Sequence, residues 1–225
     1  MNITQITGIL LIVMPIAFNV VFFLLQRAFE YPDILRKPTD YILKRFQEGG
    51  RRLTVIWYAF TLTGVVFTSV AILAPQVLAP NNTLYIAAAT TVGVLAGLVQ
   101  FLGLIRWPFL VPYLAKTYVD TTVSQATRDA ITVVFQAFHR YAGVAIGEHL
   151  GYLFTSVWTV LLATAMFQSP QFSAWLGWAG LIPAVGIFIG VFEESGFRAA
   201  GAINAISYIL WSIWLIVVGI VMLTG

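Results

Sequence analysis

The residues of this chain best suited to chemistry are Glu148 and His149, adjacent to one another inside apolar sequence. An ionisable group within a membrane-length apolar stretch is costly and normally faces a bundle interior or a water-filled cavity. Helical steps of three and four bring Tyr152 and Thr155 onto the face of Glu148, and Thr159 continues it. Asn19, Gln100, Asn204 and Ser207 lie in other apolar stretches and are candidates to meet that face. One reading is a polar pocket that takes a small molecule or a proton, with Glu148 as charge partner or general base and His149 as proton relay. The other is structural: Glu148 snorkels to the membrane interface, or pairs with Arg140 or Arg198 to fix the bundle. The sequence leaves both open.

Other chemistries are poorly supplied. The only histidines are His139 and His149. Ten residues along one helix put them about 15 Å apart and about 80° out of phase, too far to share a metal ion or a haem. Cysteine is absent, which removes thiolate sites, iron–sulfur clusters, disulfides and cysteine nucleophiles. No metal and no cofactor is expected. The segment Glu193-Glu194-Ser195-Gly196-Phe197-Arg198 resembles the E-E-x-x-x-R motif of the CPBP intramembrane proteases, in which paired glutamates and later histidines activate water. The resemblance covers six residues, and no histidine follows Arg198, so the partners of a hydrolytic site are missing. The segment reads instead as a turn in which Arg198 pairs with Glu194 four residues earlier.

These residues need elements to hold them, and composition says what those are. The 225 residues are 60% hydrophobic and 9% charged, with a formal net charge of +3, where a soluble domain carries about 25% charged residues. Lipid, not water, must cover such a surface. Six runs reach the roughly 20 residues that span a bilayer as helix: Ile6–Gln26, Leu53–Ala74, Leu84–Ile105, Ala142–Phe167, Ala174–Phe192 and Ala202–Leu223. They are continuously apolar rather than alternating, so they fit a β-barrel poorly. The first lacks a basic start and a small-residue cleavage site, so it reads as a retained span. Pro75, Pro80, Asn81 and Asn82 mark a turn after the second run, and Gln168, Ser169 and Pro170 one after the fourth. Pro108 and Pro112 should end or kink the third near Arg106, while Pro15 and Pro183 lie inside spans.

All twelve basic residues fall between spans one and two, three and four, or five and six. The positive-inside rule then puts segments 27–52, 106–141 and 193–201 in the cytoplasm and both termini outside. The sequons at Asn2 and Asn81 fall on the outer side and matter only in a secretory-pathway membrane. The 40–47 stretch predicts a short amphipathic helix ended by Gly49 and Gly50, lying in the headgroup layer. The 124–141 stretch predicts an extension continuous with span four. Trp57, Tyr58, Trp107, Tyr113, Trp175, Trp178 and Tyr208 sit near span ends as interfacial belts would; Trp211 and Trp214 lie deeper. Gly143, Gly147 and Gly151 form a stripe on span four, with Gly93 and Gly97 on span three and Gly186 and Gly190 on span five. Such stripes serve either a homo-oligomer seam or packing within one subunit. No internal repeat suggests an inverted-repeat transporter, and the outer span halves hold almost no ionisable group, which counts against ion pumping.

Four segments carry a further resemblance: Glu30-Tyr-Pro-Asp-Ile-Leu-Arg-Lys-Pro38, Arg106-Trp-Pro-Phe-Leu-Val-Pro112, Gly147-Glu-His-Leu-Gly-Tyr152 and Tyr208-Ile-Leu-Trp-Ser-Ile-Trp214. They resemble a bacterial multi-pass family known as domain of unknown function 4386. The resemblance implies six helices, a bacterial inner membrane and no assigned activity or catalytic residue. The expectation is therefore an all-α polytopic membrane bundle, one domain over residues 1–225, with membrane lipids as surroundings and no nucleic-acid partner. Its expected ligand site comprises Glu148, His149, Tyr152, Thr155 and Asn204, serving a small molecule. An enzyme acting on a lipid-like substrate and a structural subunit are the alternatives.

Overall fold

Asn2 starts the first helix. Its Oδ1 accepts from the Gln5 amide at 2.9 Å, and Gln5 Oε1 accepts from the Asn2 amide at 3.0 Å, satisfying donors that a first turn leaves free. The computed structural model describes residues 1–79, 81–169 and 171–224. Helix α1 (Ile3–Phe29) runs through Pro15, and a 3-10 turn (Asp33–Arg36) leads to α2 (Thr39–Leu78). α3 (Thr83–Leu104) is capped by Asn82, whose Oδ1 accepts from the Tyr85 amide at 3.0 Å. α4 (Arg106–Val119) and α5 (Gln125–Phe138) follow, then a π-helical segment His139–Leu150 that passes directly into α6 (Gly151–Gln168). α7 (Ala174–Ile189), a 3-10 turn (Gly190–Phe192) and α8 (Ala200–Thr224) complete the chain. Six continuous helices are long and apolar enough to cross a membrane. The protein is an all-α, multi-pass membrane bundle.

The breakers act largely as their chemistry requires. Helix α3 stops at Leu104 and α4 restarts at Arg106, with Pro108 in the new first turn, where no amide hydrogen bond is lost. Gly50 interrupts α2 with φ 52° and ψ −145°, a conformation essentially confined to glycine. The short helix before it was expected in the headgroup layer. Instead its apolar residues Ile42, Leu43 and Phe46 are buried in the protein. α2 also continues through Pro75 to Leu78 rather than turning there, because the Ala79 amide bonds back to the Pro75 carbonyl at 3.0 Å. Pro80 and Pro170 lie outside the described residues.

Two apolar clusters divide the bundle along its length. One gathers Leu11, Met14, Phe67, Trp158, Trp211, Trp214 and Met222, toward the chain termini. The other, toward the charged end, gathers Leu25, Phe29, Phe46, Trp57, Trp107 and Phe135. Trp57 and Trp107 stack with centroids 4.4 Å apart and planes 8° apart. Both are buried, so they belong to the core and not to an interfacial belt. Tyr58, Tyr113, Trp175 and Trp178 are exposed, as belt residues should be. Trp211 and Trp214, left undecided by sequence, pack inside.

The glycine stripes are consumed within the chain. A Cβ on Gly103 would lie 2.5 Å from the Gly147 Cα, and one on Gly143 would meet the Arg106 guanidinium. Gly93 faces Trp158, Gly97 faces Gly64 and Thr68, and Gly151 faces Gln100. The 186/190 pair meets Ser207 and Asn204. Small residues here bring the chain's own helices into contact.

Candidate functional site

Between the two clusters the helices leave a cavity of about 430 Å³. Gly103 and Leu104 at the end of α3 and Arg106 and Trp107 at the start of α4 all lie on its wall. The adjoining wall is the π-helical segment, packed directly on Gly103 and Arg106, which contributes Gly143, Gly147 and Glu148. A π-helix is rare and tends to occur at functional sites. Aromatic rings from α1, α2 and α8 line the rest. Phe18 lies 5.1 Å from Phe60 and 6.3 Å from Tyr208. The cavity reaches the charged end, where Arg36 and Glu193 meet at 3.0 Å across two loops.

Of the residues singled out by sequence, Glu148, Tyr152 and Asn204 all line this cavity, as do Asn19 and Gln100. Asn204 is 5% exposed and donates to the Ile187 carbonyl at 3.1 Å. Thr155 is absent from the wall. It sits one layer further in, accepting from Gln100 Nε2 at 2.9 Å. Thr159 donates to the Thr155 carbonyl at 2.7 Å and accepts from Trp211 Nε1 at 2.8 Å. This polar column is internally satisfied, and Thr155 sits behind the cavity wall rather than on it. Ser207 points to Gly186 instead.

His149 does not line this cavity. It is exposed and borders a small crevice of about 10 Å³ together with Glu148, Tyr152, Glu193 and Glu194. Successive residues along a helix point to different sides, so Glu148 reaches the cavity and His149 does not. The histidine on the cavity is His139, stacked on Phe135 with centroids 5.9 Å apart. The structural pairings also fail. Glu148 has no ion pair with Arg140 or Arg198, and Arg198 makes none with Glu194. Residues 193–199 are turn rather than helix, so i,i+4 spacing no longer brings side chains together.

Arg106 was read as a flank of span three, yet it is 8% exposed and faces the cavity. Its guanidinium donates to the Gly103 carbonyl and lies 5.3 Å from the Trp107 ring centroid. The signal was present: Arg106 has apolar residues on both sides and a proline two positions on. Tyr31 joins the wall from the α1–α2 turn. Burial, and next the negative charge of Glu148, hold its phenol well above its ordinary range, so it remains an O–H donor.

A family model described as domain of unknown function (DUF4386) matches residues 6–219. The chain belongs to this family. The match reaches all six spanning helices and takes in every residue of the cavity wall. No curated protein and no solved structure matches the chain. The four segments that carry the DUF4386 resemblance all reach the cavity, through Tyr31 and Arg36, Arg106 and Trp107, Glu148 and Tyr152, and Tyr208. No group of three or more His, Cys, Asp or Glu residues among the described residues could hold a metal ion.

Proposed function

We propose that this membrane protein binds a small amphipathic molecule in the cavity between α1, α3, the π segment and α8, with Glu148 as its polar anchor. The observation that carries the reading is a cavity of about 430 Å³ holding Glu148, Arg106, Asn19 and Asn204 within aromatic walls. Ligand sites of about 300–1,000 Å³ typically combine apolar walls with a few convergent polar groups. The aromatic layer beyond it favours binding over passage. Phe67 packs edge-on against Trp158 at 5.0 Å and Trp211 at 5.6 Å. With basic segments cytoplasmic and both termini outside, as expected of a bacterial inner membrane, the mouth at Arg36 and Glu193 faces the cytoplasm.

Native mass spectrometry of the detergent-purified protein tests this. A small molecule should co-purify with the wild type and be lost from Val144→Trp, which fills the cavity from its wall. Equal retention by both proteins, or none by either, would count against the proposal.

One observation favours a second reading, an enzyme acting on a lipid-like substrate. Ile209 lies on the exposed stripe of α8 with Ile206, Leu210 and Ile213, and it also lines the cavity. The cavity therefore borders the lipid-facing side. In that reading Glu148 is the general base. Time-dependent conversion of a membrane lipid extract by wild type but not by Glu148→Gln would support it.

A further inference from the structure

Two opposite charges share this cavity without forming an ion pair. Arg106 has its guanidinium bound to a single carbonyl, that of Gly103, and has no ion-pair partner among the described residues. The Glu148 side chain has neither an ion pair nor a hydrogen bond among them. The ion pairs that do form join groups at residues 30–48 and Glu193, nearer the solvent. Uncompensated charge in a bundle interior is expensive. A direct Arg106–Glu148 ion pair would reduce the expense, and none forms.

What suits each charge differs. A guanidinium is a planar fork of donors that matches a carboxylate or a phosphate. A carboxylate accepts only, and so suits an ammonium. An anion alone would leave Glu148 unpaired beside it, and a cation alone would leave Arg106 unpaired. A molecule carrying both charges satisfies both walls at once. Phe18, Phe22 and Phe60 offer a surface for its apolar part.

We propose that the cavity recognises a zwitterion, with an acidic group held by Arg106 and a primary ammonium held by Glu148. The proposal rests on the binding function above and names its ligand class. Two sources supply that chemistry: a free aromatic amino acid, or the headgroup of phosphatidylethanolamine entering past Ile209.

The test uses the full chain in nanodiscs of phosphatidylglycerol, titrated calorimetrically with L-tryptophan, with indole-3-propionate (acid only) and with tryptamine (ammonium only). A second arm uses nanodiscs of mixed phosphatidylethanolamine and phosphatidylglycerol, and native mass spectrometry reads the retained lipid. The wild type should hold L-tryptophan at least about tenfold more tightly than either single-charge probe, or retain phosphatidylethanolamine over phosphatidylglycerol by a similar factor. The arm that responds identifies the source. Glu148→Gln should abolish the preference and favour the acid-only probe or the anionic lipid. Arg106→Gln should favour tryptamine. Because Arg106 also supports the helix break, Glu148→Gln, which keeps the side-chain shape, decides the matter alone. If the wild type holds an acid-only ligand as tightly as a zwitterion, or Glu148→Gln keeps the original preference, the zwitterion proposal is overturned while the cavity remains a binding site. If neither arm detects binding, the zwitterion proposal is also overturned, and Val144→Trp against wild type decides the binding function separately.

Discussion

Glu148 and Trp107 line the same cavity, but substitutions should separate their roles. The Glu148 side chain makes no bond that Gln would lose, and Gln removes an unpaired charge, so Glu148→Gln should leave the detergent melting midpoint at or above that of wild type. Trp107 is 1% exposed and stacked on Trp57. Trp107→Ala should cost about 3–5 kcal/mol, as large aromatic truncations do, and lower the midpoint by many degrees. A Glu148→Gln protein that aggregates on extraction would show that the carboxylate is structural after all. At the mouth, the Arg36–Glu193 pair is 66% and 33% exposed. Such pairs contribute about 0–1 kcal/mol. Arg36→Ala should therefore leave stability nearly unchanged while speeding ligand exchange, which dissociation kinetics of a bound probe would read.

Helices and their joints carry the next set of consequences. Gly50 holds a backbone conformation that costs other residues about 1–3 kcal/mol. Gly50→Ala should destabilise by that amount, although its side chain would meet nothing within 4 Å; an unchanged thermal midpoint would mean that the kink relaxes. In the α4–α5 turn, the Thr122 hydroxyl first and the Thr122 amide second hold the Asp120 carboxyl below its ordinary range. A depressed carboxyl stabilises the fold above its unfolded value and loses that contribution as pH falls through the folded one. Amide exchange at Thr122, corrected for its intrinsic rate, should accelerate on acidification in wild type and be pH-insensitive in Asp120→Asn. The π segment explains why element type alone misplaced some side chains. Its wider turn alters the helical phase on which the positions of residues 139–150 were reasoned.

For the whole molecule, orientation in the bilayer is the prediction to test. The chain has no cysteine, so single cysteines report without background. Lys44→Cys should react with an impermeant maleimide only from the cytoplasmic side, and Asn81→Cys only from the outside. The opposite pattern would invert the bundle. Spans, their number and the helix break at Arg106 were legible in the sequence, because apolar length and proline chemistry act locally. So was the convergence of Glu148, Tyr152, Asn19, Gln100 and Asn204, since a polar residue in a span has few places to go. His149, Arg106 and Trp57 were not, because each depends on which neighbour a helix face meets. Sequence by itself determined that lipid surrounds six helices with their charges gathered at one end, since the solvent of each segment follows from its own composition. Only tertiary structure decided which charges stay unpaired around a common cavity, because pairing depends on distances between helices that no single helix encodes.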